Sequence, residues 1–113
     1  MAFAVFEIKK SDKPKWEQAL EINVKDPATG KLVYDKVADL LRKQTIVVKE
    51  GQSLGLEEGY LYVLVEGSDE ALKHARDRVK AFGGQEAKDA EAIRQKIKDE
   101  EEAAAGGVGF IFG

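Results

Sequence analysis

The apolar residues of the chain fall into two periods. Tyr60-Leu61-Tyr62-Val63-Leu64-Val65 is an unbroken run of β-formers between Gly59 and Glu66-Gly67, which predicts a strand bounded by turns. Both of its alternating faces are apolar, so it belongs in the middle of a sheet. Ala2-Phe3-Ala4-Val5-Phe6-Glu7-Ile8 has the same character and predicts a second central strand. Thr45-Ile46-Val47-Val48-Lys49-Glu50 is shorter and ends in charge, as an edge strand does. Val108-Gly109-Phe110-Ile111-Phe112 predicts a closing strand.

Between these runs the spacing turns helical. Trp16, Ala19, Leu20, Asn23 and Val24 predict a helix over residues 13–24, capped by Ser11 or Asp12 with Pro14 in its first turn. Asp26-Pro27-Ala28-Thr29-Gly30 is a strong turn. Two patterns compete around it. Ile22-Asn23-Val24 can pair with Lys31-Leu32-Val33-Tyr34 as a hairpin. Alternatively, Val33, Val37, Leu40 and Leu41 form one stripe of a helix over residues 32–42, and this is the preferred reading. Leu72, Ala75, Val79 and Phe82 predict a helix opened by Ser68 and stopped by Gly83-Gly84. A thinner stripe of Ala90, Ile93 and Ile97 predicts another over residues 86–104, ended by Gly106-Gly107.

That order predicts an α+β fold in a single domain of residues 1–113: a ferredoxin-like βαββαβ sandwich, antiparallel, with an extra helix before the C-terminal strand. Its first and third strands should be central, and these are the two that are apolar on both faces. Alternation puts Ala4, Phe6, Ile8, Leu61, Val63 and Val65 under the helices, because Glu7 should not point into a core. The second face then carries Phe3, Val5, Val47, Tyr60, Tyr62 and Leu64. A soluble monomer does not leave such a patch open. A second copy of the chain is the expected cover, ahead of the extra helix or another partner.

Composition narrows the chemistry. The formal net charge of -3 gives no general attraction to nucleic acid or anionic membrane. With no Cys and one His, disulfides, thiolate sites and a dedicated metal site are not expected, nor is a cofactor. No stretch approaches the ~20 apolar residues of a membrane helix, and the cytoplasm is the expected compartment. Residues 51–59 carry glycine at every fourth position. Gly51, Gln52, Ser53 and Gly55 are therefore the candidate cradle for a small anionic ligand.

Glu58-Gly59-Tyr60-Leu61-Tyr62-Val63-Leu64-Val65 resembles the octamer on the third strand of RNA-recognition domains, with Gly59, Tyr60, Tyr62 and Val63 matching. The resemblance implies base stacking on Tyr60 and Tyr62. Glu58 stands where that family has a basic residue, Leu61 where it has a small one, and Val65 where it has an aromatic one. His74 falls beside its helix's apolar stripe, Asp99-Glu100-Glu101-Glu102 reads as a solvated helix end, and Lys9, Lys10, Lys13, Lys15 and Trp16 form a small basic patch. The expected function is a small cytoplasmic binding or regulatory module that dimerises through its sheet face and takes a small anionic ligand at its loops. The alternatives are RNA binding through Tyr60 and Tyr62, and a small enzyme drawing on Tyr60, Tyr62, Glu7 or His74.

Overall fold

The computed structural model describes the backbone of residues 2–112 and the side chains of residues 2–103. Ten elements follow one another: β1 (Ala2–Lys9), α1 (Lys13–Ala19), β2 (Asn23–Lys25), β3 (Leu32–Tyr34), α2 (Lys36–Arg42), β4 (Thr45–Glu50), β5 (Tyr60–Gly67), α3 (Asp69–Ala81), β6 (Gln85–Glu86) and α4 (Ala90–Phe112). The class is α+β. Four strands form an antiparallel sheet in the order β4-β5-β1-β6, and β2 and β3 make a separate hairpin. The two runs that are apolar on both faces, β1 and β5, are the central pair, in register from Ala2 opposite Gly67 to Lys9 opposite Tyr60.

The first face carries the larger core. Ala4, Phe6, Ile8, Leu61, Val63 and Val65 pack there against Trp16 of α1, Leu41 of α2, and Leu72, Ala75 and Val79 of α3. This is the division of faces that alternation predicts. Ser68 caps α3, its Oγ accepting from the Ala71 amide at 3.2 Å. At the other end Gly83 takes the left-handed conformation (φ 93°), and the Gly84 amide reaches back to the Val79 carbonyl, closing the last turn.

Four expectations of local structure are corrected. The helix read over residues 13–24 stops at Ala19, and the one read over residues 32–42 begins only at Lys36. Between them the hairpin forms, with Val24 opposite Val33. Asp35 decides this boundary: its carboxylate accepts from the amides of Val37 and Ala38 and caps α2 there. The closing strand at residues 108–112 and the glycine stop before it are also absent, since α4 continues to Phe112. Residues 85–87 already occupy the edge beside β1 that such a strand would need: Gln85 and Glu86 pair with Glu7 and Phe6, and the Ala87 amide donates to Val5. The side chains of Phe110 and Phe112 lie outside the described residues. Among those described, no helix is long and apolar enough to cross a membrane.

Candidate functional site

The second sheet face is where the sequence places its interface. The structure closes that face from within the chain, which corrects the expectation of an open surface for a second copy. Val5, Tyr62 and Leu64 are buried beneath Ile93 and Ile97 of α4 and Leu54 of the 3-10 turn after β4, with Phe3, Val47 and Tyr60 packed half-buried around them. The thin stripe of α4 suffices because the loop supplies the remaining cover. Charge fixes the helix in place. Glu66 of β5 accepts two hydrogen bonds from Arg94, at 3.1 and 2.9 Å, and one from Lys98 at 2.6 Å. The Arg94 guanidinium also lies 4.8 Å from the centre of the Phe3 ring. Further along, Lys49 of β4 bridges Glu100 at 3.5 Å and Glu101 at 2.9 Å. The Lys98 hydrogen bond, aided by Arg94, holds the Glu66 carboxyl below the usual range against the opposing effect of burial.

The two tyrosines are not a stacking platform. Tyr62 is 4% exposed and its hydroxyl donates to Glu7 at 3.1 Å. Burial first, then the Glu7 carboxylate, pushes its pKa up to about 12. A base cannot reach that ring. Glu7 also accepts from Gln85 at 3.2 Å, so its carboxylate serves as a joint between β1, β5 and β6.

The other candidates are dispersed. Gly51 is buried, while Gln52, Ser53 and Gly55 are exposed. The amides of Gly55 and Leu56 turn inward to the carbonyls of Gln52 and Gly51, and the Ser53 hydroxyl donates to the Glu50 carbonyl. These groups serve the turn itself and do not converge on an anion. His74 lies on α3, 3.9 Å from Glu70. Trp16 leaves the basic patch for the core, and Lys10 and Lys15 pair with Glu50 and Asp12. Among the described residues no group of three or more His, Asp or Glu side chains could hold a metal ion.

The hairpin is different. Its turn is built by Asp26, which accepts from the Ala28 amide at 2.9 Å and the Thr29 hydroxyl at 3.2 Å, with Gly30 at φ 72°. Its base is fastened to three helices. Arg78 of α3 donates to both Asp35 oxygens, at 2.9 and 2.8 Å, and to the Ala19 carbonyl at 3.1 Å. Arg42 of α2 donates to the Leu20 carbonyl, and the Tyr34 hydroxyl to Asp39. Burial opposes ionisation of Asp35, but Arg78 and the capping amides outweigh it and hold the carboxyl below its ordinary value.

Beyond that base the hairpin exposes apolar side chains: Leu32 at 71%, Tyr34 at 52%, Val33 at 51% and Val24 at 39%. The only other large apolar residue so exposed among those described is Val48. Val24, Pro27, Val33 and Val37 line a cleft of about 480 Å³ between hairpin and α2, with Lys25 and Lys36 beside it. In the sequence this hairpin competes with the helical stripe of Val33, Val37, Leu40 and Leu41, which is the stronger pattern. The signal for the hairpin is Asp26-Pro27 through Gly30 between two short β-prone runs. No protein-family model, curated protein or solved structure matches the chain.

Proposed function

We propose that the protein is a non-enzymatic binding module whose contact surface is the β2–β3 hairpin and the cleft between it and α2. The observation that carries this reading is the concentration of exposed apolar side chains on one rigidly based hairpin. Scattered single apolar residues need no explanation, but four exposed apolar side chains on one short hairpin, with Val24 and Val33 on the face that lines the cleft and Leu32 and Tyr34 on the other, mark a contact site. The body then acts as a scaffold. We read its sheet as a ferredoxin-like one with a shortened fourth strand, supported by the central β1–β5 pair between antiparallel edges β4 and β6.

The hairpin favours an extended or amphipathic polypeptide as its ligand, since apolar side chains and unpaired strand edges recognise such segments. The test is to select displayed peptides on the folded protein and map the binders by amide chemical shifts. Binders should move the resonances of residues 23–25 and 32–37 and should be lost on Val33→Asp. Binders that map to β1, β5 or α4 would overturn the assignment.

A further inference from the structure

We infer that β3 pairs edge to edge with β3 of a second copy of this chain, antiparallel and centred on Val33, giving a continuous four-stranded sheet across a two-fold axis. This rests on the reading of the hairpin as the contact surface and names its partner.

The hydrogen-bond alternation of the hairpin fixes which of its backbone groups face outward. The Asp35 amide donates to the Ile22 carbonyl and the Asp26 amide to the Lys31 carbonyl. Antiparallel pairs alternate between bonded and non-bonded, so Val24 and Val33 form the bonded pair between these two. Leu32 and Tyr34 are opposite Lys25 and Asn23 in non-bonded pairs. Their N–H and C=O groups therefore point away from β2, and they have no backbone partner among the described residues. An edge with two outward donors and two outward acceptors is a template for another strand.

The sequence of this edge complements itself. When Val33 lies opposite its own copy, Leu32 and Tyr34 of one chain fall opposite Tyr34 and Leu32 of the other. All four outward groups on each edge then find partners. Leu32 and Tyr34 make an aliphatic–aromatic cross-strand pair, twice. One step further out, Lys31 lies opposite Asp35 of the other chain, again twice. The backbone is extended there, with Asp35 at φ -100° and ψ 103°. Lys31 makes no ion pair among the described residues, and the Asp35 Oδ2 accepts only from Arg78. The outer edge of β2 offers Asn23 and Lys25 instead, and a lysine on an edge discourages pairing. The association is therefore isologous and confined to β3. It is also small, at the weak end of protein interfaces.

The absence of cysteine from the chain makes the register directly testable. Val33→Cys places two thiols across the two-fold in a non-bonded pair, where Cα atoms lie about 4.5 Å apart, within disulfide range. Leu32→Cys places its thiols on diagonal positions, and Lys25→Cys places them on the far strand. Under mild oxidation Val33→Cys should form a disulfide-linked dimer at least tenfold faster than either control. Sedimentation of the unmodified chain from micromolar to millimolar concentration should show mass rising from 12.4 kDa towards twice that value. Lys31→Glu should shift the midpoint at least tenfold upward in concentration. Equal crosslinking at residues 25 and 33, or a constant 12.4 kDa mass, would overturn the pairing. If the mass stays constant while selected peptides still shift residues 32–37, the contact surface stands and only its partner is wrong. If neither occurs, both readings fall.

Discussion

Glu66 and Arg94, 28 positions apart, meet through two hydrogen bonds of 3.1 and 2.9 Å to a single carboxylate oxygen, and Lys98 takes the other oxygen. This carboxylate is where β5 holds α4 across the second face. Its ordinary pKa of 4.5 is lowered in the folded protein. A lowered carboxyl stabilises the fold fully above the unfolded value and loses that effect as pH falls through the folded one. Wild type should therefore lose stability below about pH 4.5. Glu66→Gln should unfold more easily in urea at pH 7 by about 1–3 kcal/mol, less than the ~3–5 kcal/mol of a fully buried broken pair because Arg94 and Lys98 stay partly hydrated. The gap between the two proteins should narrow at pH 3. A constant gap would mean that the carboxylate charge does not hold the helix.

Tyr62 gives the matching signal at high pH. Its hydroxyl is raised from 10.0 to about 12 by burial and by Glu7. A raised group stabilises the folded state below the unfolded value, so this contribution is full below pH 10 and disappears between pH 10 and 12. Ultraviolet titration should find a tyrosine that ionises near pH 12, and Tyr62→Phe should remove that step. Ionisation of every tyrosine by pH 11 would mean that Tyr62 is not held buried beside Glu7.

Ile97 measures how much of the second core α4 supplies. It is fully buried, and truncation of such a side chain leaves a cavity. Ile97→Ala should cost about 2–4 kcal/mol in chemical denaturation. Glu101→Ala, an exposed partner of Lys49, should cost under about 1 kcal/mol. Similar losses from both would point to charge, not packing, as what holds α4.

Gly51 tests the loop. A Cβ there would collide with the Glu57 carbonyl oxygen and sit 3.0 Å from the Tyr62 ring. Gly51→Ala should lose about 1–3 kcal/mol through overpacking and should disturb the amide resonances of Leu54 and Leu56. A neutral substitution would mean that the loop does not press on the sheet.

Most of the body is legible in the sequence because burial leaves a period. β1 and β5 announce themselves by apolar residues on both faces, and α3 by its stripe and its Ser68 cap. The hairpin is not legible in the same way. Leu32, Val33 and Tyr34 are apolar yet exposed, so no burial pattern marks their strand. Val33 and Val37 also happen to continue the spacing of Leu40 and Leu41. The cover of the second face is hidden for another reason. The stripe of Ala90, Ile93 and Ile97 looks too thin alone, and nothing in the local sequence reveals that Leu54 completes it. Residues 108–112 are β-prone, but the edge they would join is already taken by residues 85–87. Competition for an edge is a property of the whole chain.

The hairpin contributes no side chain to either core cluster: its residues leave from the end of α1 and return at the start of α2. On the proposed function, stability and recognition are written in separate parts of the sequence. Substitutions at residues 24 and 31–33 leave the packing of the body untouched and cost little in folding. The surface can diverge from one lineage to the next while the body stays constant, so the scaffold can acquire new partners without first having to become more stable.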